Sequence, residues 1–180
     1  STLVTGLNLQ GLGGVNVLTL DAAGKVIATA RRDGDYVRLM RPTDTGTFLL
    51  CTNDHILETR TDLGEIRQLR AEGFLHAWKA HRYADGSTLV SAGYGAFMAR
   101  FDAAGNLVAT FGGKDRVPAE ISPNFYASFQ VLDDGRIVVA NWQGHGPDNG
   151  TKGRQLLEFA ADGRMLGAWR LFVGAFCTVV

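Results

Sequence analysis

One stretch of this chain occurs twice. Ser87-Thr-Leu-Val-Ser91, followed by Asp102-Ala-Ala-Gly105-Asn-Leu-Val-Ala-Thr110, returns with loop insertions as Ser1-Thr-Leu-Val-Thr5 and Asp21-Ala-Ala-Gly24-Lys-Val-Ile-Ala-Thr29. An internal repeat of short apolar segments and glycine turns restricts a chain more than its composition does, because each copy must fold alike and bury its apolar face against the next. The first copy begins part-way through the repeating unit, at a segment that is second in line elsewhere.

Two kinds of turn alternate along the chain. One precedes an apolar run: Asp44-Thr-Gly46 before Phe-Leu-Leu-Cys51, Asp85-Gly86 before Thr-Leu-Val-Ser91, and Asp133-Asp-Gly135 before Ile-Val-Val-Ala140. The other comprises Asp21-Ala-Ala-Gly24, Thr61-Asp-Leu-Gly64, Asp102-Ala-Ala-Gly105 and Ala161-Asp-Gly163. Glycine supplies a positive φ and aspartate bonds the backbone just ahead of it, so both kinds are read as hairpin turns. Gly24, Gly64 and Gly105 are 40 and 41 residues apart, whereas Gly105 and Gly163 are 58 apart, with the excess in residues 112–124 and 143–153. Both stretches read as inserted loops. Apolar residues alternate or come in runs of four or five, and no helical period appears.

The unit is therefore four antiparallel strands, a to d, which in the third copy cover about residues 75–83, 87–92, 97–102 and 106–111. Four-stranded sheets recurring about every 41 residues describe the blades of a β-propeller. A β-sandwich with matching turns is the alternative, but it has no reason to keep its turns in register. The pattern Asp-Gly-x-apolar-apolar-Val/Ala, then apolar-x-Phe-Asp-x-x-Gly-x-apolar, resembles the NHL, quinoprotein-like and six-bladed β-propeller repeat proteins. The resemblance implies an architecture, not an activity, because such propellers include lactonases, lyases, oxidoreductases and interaction modules. The Trp-Asp dipeptide of WD40 blades and the tryptophan-docking pattern of quinone-cofactor propellers are missing, and no cofactor is expected.

The expected fold is all-β, a single propeller domain over residues 1–180. Blade 1 is about 1–34 and lacks its inner strand, blade 2 is 35–73, blade 3 is 74–115 and blade 4 is 116–170. Residues 171–180 form a surplus strand. Either that strand closes a small ring in the place blade 1 lacks, or the chain is part of a larger propeller; both readings stay open. With the ring open, self-association through blade edges is expected.

Eighteen basic residues balance eighteen acidic ones, which disfavours polyanion binding, so neither nucleic acid nor a membrane surface is expected as partner. No apolar run approaches the roughly 20 residues of a membrane-spanning helix. Ser1 leads directly into a strand pattern, so any export signal would already be gone, and an extracytoplasmic location is slightly favoured. Cys51 and Cys177 sit among apolar neighbours and read as buried thiols, with a disulfide between them as the alternative.

In a propeller the b–c and d–a loops share one face, and here that face holds nearly all the irregular sequence. Counting five residues back from Gly46, Gly86 and Gly135 gives Arg41, His81 and Gln130, an expected polar ring around the axis. Counting ten back gives Tyr36, His76 and Phe125, an expected aromatic rim. The segment Asn141-Trp-Gln-Gly-His-Gly-Pro-Asp148 is the densest collection of recognition groups, with Trp142 to stack and Asn141, His145 and Asp148 to hydrogen-bond. His76 and His81, five apart on one expected strand, would point to opposite faces, and with His55 and His145 no spacing demands a metal, so none is expected. Asn149-Gly-Thr151 matches a glycosylation sequon.

The functional expectation is a propeller that binds a small polar ligand, such as a carbohydrate, or a protein on its loop face. The alternative is a hydrolase or lyase acting on a sugar or lactone. Its general base would be His81 or His145, with Asp148 or Arg41 stabilising charge.

Overall fold

The computed structural model describes residues 2–5, 17–30, 37–145 and 148–170, with the backbone alone at 2–5 and 151. Among the described residues, fifteen strands fall into four antiparallel sheets, each traced by strands adjacent in sequence. The first sheet has β1 (Thr2–Thr5), β2 (Val17–Leu20) and β3 (Val26–Ala30). The second has β4 (Leu39–Pro42), β5 (Phe48–Cys51), β6 (Ile56–Thr59) and β7 (Glu65–Leu69). The third has β8 (Lys79–Arg82), β9 (Thr88–Ser91), β10 (Phe97–Phe101) and β11 (Leu107–Gly112). The fourth has β12 (Phe125–Val131), β13 (Ile137–Trp142), β14 (Leu156–Phe159) and β15 (Met165–Trp169). The last three sheets are the four-stranded blades read from the repeat, and the first, three-stranded among the described residues, begins with the second strand of the pattern.

The turns follow one hydrogen-bonding plan. In the turn after β2, Asp21 Oδ1 accepts from the Ala23 and Lys25 backbone N–H groups at 2.9 Å each, and Gly24 takes φ +82°. Asp102 and Gly105 repeat this after β10. The turn after β6 departs from the expectation. There the bonds Arg60 N–H to Gly64 O and Leu63 N–H to Arg60 O align Leu63, not Gly64, with Gly24 and Gly105, and Leu63 carries the positive φ of +65°. The repeat is thus one residue out of step with its glycines at this turn.

Burial explains how the sheets stack. Leu49, Cys51 and Ile56 of the second sheet pack against Ala80, Val90, Ala99 and Phe101 of the third. The other face of the third, with Leu89 and Met98, meets Tyr126, Phe129, Ile137, Val139 and Leu157 of the fourth. Contacts between sheets run through their first strands, since β8 packs on β4 and β5 while β12 packs on β8 and β9. The last strand of each sheet carries the exposed apolar side chains Val26, Ile27, Ile66, Leu107, Val108, Leu166 and Trp169. In the second, third and fourth sheets the first strand is therefore inner and the last outer. Cys51 is a free, buried thiol, and burial pushes its pKa up to about 12. Cys177 and the surplus strand 171–180 lie outside the described residues, as do the loops at 6–14 and 31–35. No helix among the described residues is long and apolar enough to cross a membrane, which says nothing of a β-barrel.

Candidate functional site

The loop-face ends of the inner strands converge on a cavity of about 350 Å³ lined by Arg38, His76, Trp78, Tyr94, Phe125, Trp142 and His145. Three sheets supply it. Arg38 directly precedes β4, and His76 and Trp78 lead into β8. Tyr94 caps the turn between β9 and β10, Phe125 and Trp142 are cross-strand partners on β12 and β13, and His145 follows them.

Phe125 is the hub. Its buried ring meets Trp78 at 5.4 Å, Tyr94 at 4.6 Å and Trp142 at 5.6 Å, every pair edge to face. Trp142 meets His145 in the same way at 4.7 Å, and the Arg38 guanidinium lies 5.5 Å from the Trp78 ring. Rings packed edge to face do not cover one another's faces fully, which is the arrangement on which a planar or ring-shaped ligand can stack.

Gly93 sets this geometry. It pairs with Leu75 on one side and with Tyr126 on the other, exchanging two backbone bonds with Tyr126 at 3.2 and 2.9 Å. This junction ties the entry to β8, the β9–β10 turn and β12 together, and so fixes His76, Tyr94 and Phe125 relative to one another. His76 itself is in the left-handed region, φ +58°, a strained conformation for a residue with a side chain. Its backbone N–H donates to Asn53 O at 2.7 Å, and its Nδ1 lies 2.8 Å from Arg38 Nη2 and 2.6 Å from Asn53 Oδ1. The Arg38 guanidinium can only donate to Nδ1 and Asn53 Oδ1 can only accept from it, so Nδ1 engages one of the two at a time, according to its tautomer. Burial, and then the Arg38 charge, hold the His76 pKa below the ordinary histidine value, which favours the neutral ring. Because β8 starts at Lys79, His76 and His81 do not share a strand, and the opposite-face argument from their spacing does not apply.

The expected site residues divide. His76, Phe125, Trp142 and His145 line the cavity; Tyr36 lies outside the described residues. Asn141, expected to meet a ligand, does not line the cavity. Its side chain is fully buried, with Oδ1 accepting from the Asn124 N–H at 3.0 Å and Nδ2 donating to carbonyls of Ile121, Ser122 and Arg154 at 3.3, 3.3 and 2.8 Å. Strand alternation accounts for this: Trp142 and Asn141 point to opposite sides of β13. Asp148 is exposed beside the short 3₁₀ turn Asn149–Thr151 and does not line the cavity. The sequon's Asn149 donates to His145 O and accepts from Lys152 Nζ at 2.7 Å. His55 is buried in its own turn, its Nδ1 2.7 Å from Asp54 Oδ1 and 3.0 Å from Thr52 Oγ1, away from the cavity lining. Among the described residues no group of three or more His, Cys, Asp or Glu side chains is placed to hold a metal ion.

Arg41 and His81 occupy equivalent places on their inner strands, opposite Leu49 and Leu89, and both line a second cavity of about 340 Å³ toward the other end of the strands. Gln130, opposite Val138 on β12, is exposed and does not line it. Burial, and then the Lys79 charge, lower the pKa of His81, whose ring packs edge-on against Tyr83 at 4.8 Å.

Arg38, Trp78 and Tyr94 were not singled out in the sequence. The signal for Tyr94 was its place between two glycines in a b–c turn; Trp78 and Arg38 carry none beyond standing just before an inner strand.

No family model and no curated protein matches this sequence. Solved structures do match in shape. A Bacteroides caccae protein of unknown function aligns over 88% of this chain and 62% of its own, at 17% identity and TM-score 0.66. A streptogramin B lyase aligns over 89% and 49% (10%, 0.65), and the WD40 propeller domain of Doa1 over 87% and 47% (13%, 0.64). The fold is a β-propeller. The chain spans between about half and three fifths of the length of these propellers, and at such identities the likeness carries fold alone.

Proposed function

We propose that this propeller binds a small, flat, polar ligand of the carbohydrate type in the aromatic cavity on its loop face. The observation that carries the reading is the lining itself: four aromatic rings in edge-to-face contact, with Arg38, His76 and His145 at their margin. Sugars present an apolar C–H face and a rim of hydroxyls, which suits stacking on an indole together with directed bonds from a guanidinium and two imidazoles. Apolar walls with a few convergent polar groups are the usual composition of a small-molecule site, and about 350 Å³ accommodates one or two sugar rings.

The hydrolase or lyase alternative has less support. Lyases occur among the structures of similar shape, at 10% and 11% identity, where only the fold is shared. Two histidines line the cavity, the lining named above contains no carboxylate beside His145, and Asp54 meets His55 elsewhere. Asp148 does not join His145 there.

The chain has three tryptophans, of which Trp78 and Trp142 line the cavity and Trp169 sits on the outer strand β15. Titrating a panel of monosaccharides and disaccharides while recording emission from a Trp169→Phe variant reads the cavity alone. Saturable quenching or a blue shift that Trp142→Ala abolishes supports the reading. A panel without any saturable change in emission or in calorimetric heat rejects carbohydrate as the ligand class.

A further inference from the structure

The second cavity takes in two members of the polar ring expected from the sequence, Arg41 and His81. It is lined by Arg41, Thr43, Asp44, Lys79, His81 and Arg82, with Leu49 and Ala80 at its floor, between the inner strands of the second and third sheets. Three of these side chains are cations and one is a carboxylate.

The charges do not cancel locally. Arg82 is already engaged, its Nη2 2.8 Å from Glu58 Oε2, and Glu58 is shared with Arg67 at 2.7 Å. No ion pair among the described residues neutralises Arg41 or Lys79. Lys79 is half-buried, donates one N–H to Phe129 O at 2.5 Å and lies 5.2 Å from the Phe129 ring, so two of its three N–H groups remain for other acceptors. Burial, then the Arg41 charge, push the Lys79 pKa below its ordinary value. Placing an ammonium beside a guanidinium in a partly enclosed space costs free energy unless an anion joins them.

We propose that this cavity is an anion site, in which Arg41 and Lys79 hold a small oxyanion of the phosphate or carboxylate class with His81 beside it. The guanidinium presents paired N–H groups that match a planar or tetrahedral oxyanion, and the ammonium supplies a compact charge from the neighbouring blade. Thr43, whose hydroxyl already bonds those of Thr45 at 2.9 Å and Thr47 at 2.7 Å, lines the cavity at the turn. The site is distinct from the aromatic cavity: Trp78 borders that one, and Lys79 to Arg82 face this one, along the same inner strand.

His81 is the reporter. The charged groups around it are Lys79 and Arg82 on its own strand, Arg41 and Asp44 from the second sheet, and the Tyr83 ring. In NMR titrations of the intact chain at fixed ionic strength, inorganic phosphate and succinate are compared with chloride. A bound oxyanion raises the His81 pKa by roughly half a unit or more, since a negative charge favours the imidazolium. Arg41→Gln weakens binding about tenfold, the weight of a charge-assisted hydrogen bond. A response to phosphate alone, or to succinate alone, assigns the class. If neither moves His81 relative to chloride, the proposal falls, and this wild-type measurement stands even if the variant misfolds. Trp142→Ala retains the response; its loss would place the anion in the aromatic cavity instead and equally overturn the assignment.

Discussion

A methyl group on Gly93 would collide with the carbonyl oxygens of Leu75 and His76, and φ at this residue is +63°. Neither obstacle can relax, because the carbonyls are backbone atoms in the entry to β8. Gly93→Ala is expected to cost roughly 3 kcal/mol in urea unfolding, the upper range for single substitutions, and to disturb Tyr94 and His76 together. Two neighbours on β13 separate stability from binding. Asn141→Ala removes the partner of the Asn124 N–H and of the Arg154 carbonyl, while Ile121 O and Ser122 O keep the Arg154 N–H and Gln143 Nε2 as donors, and should lower stability by about 1–3 kcal/mol. Trp142→Ala, at a half-buried ring on the cavity wall, should leave most stability intact and abolish the fluorescence response to ligand. The sequence showed that this segment is rich in recognition chemistry but not which residues turn outward, because only the pairing of Phe125 with Trp142 fixes which side of β13 faces the cavity. Arg38, Trp78 and Tyr94 were hidden for a related reason: they are unrelated in sequence pattern, and the Gly93 junction and the packing of three sheets bring them together.

Among strand elements, β6 carries the least expected residue. Its Ile56-Leu-Glu-Thr59 run is wholly buried, and the carboxylate of Glu58 lies on the face turned toward the third sheet. Burial by itself would raise the Glu58 pKa, but hydrogen bonds and charge from Arg82 and then Arg67 outweigh it, so the folded value lies below the ordinary one. A depressed carboxylate contributes stability above its unfolded pKa and loses that contribution as pH falls through the folded one. Glu58→Gln should therefore destabilise the chain by about 3 kcal/mol at neutral pH, by leaving Arg82 short of its counter-charge. The difference from wild type should shrink as pH drops below the ordinary glutamate range, readable from urea midpoints at pH 7, 5 and 3. Equal destabilisation at all three would show that packing, not charge, is lost. Hairpins and strand order were legible because each turn names its own residues. Two irregularities were not: the turn after β6, where Leu63 takes the glycine's place, and the bulge between Tyr126 and Phe129, which adds a residue to β12 and displaces Phe125 by one from the position matching His76. Both are set by pairing with a neighbouring strand.

At the scale of the molecule, no single blade owns the aromatic cavity. Arg38 comes from the second sheet, His76, Trp78 and Tyr94 from the third, and Phe125, Trp142 and His145 from the fourth. Repeat architectures hold their units together mainly through nearest-neighbour contacts, so a ligand touching three units adds a further link among them. Binding should then stabilise the stack as a whole and not one loop: a ligand at about 100 times its Kd adds roughly 2.7 kcal/mol to the folded state. Hydrogen exchange locates that gain. The amides of Gly93 and Tyr126, which bond across the third and fourth sheets, and of His76, bonded to Asn53 across the second and third, are expected to slow together with ligand present. Amides of the turn between β2 and β3, which supply nothing to the cavity, should exchange at unchanged rates. Protection confined to residues 142–145 would mean that the ligand rests on one loop, and the three-sheet site would have to be given up.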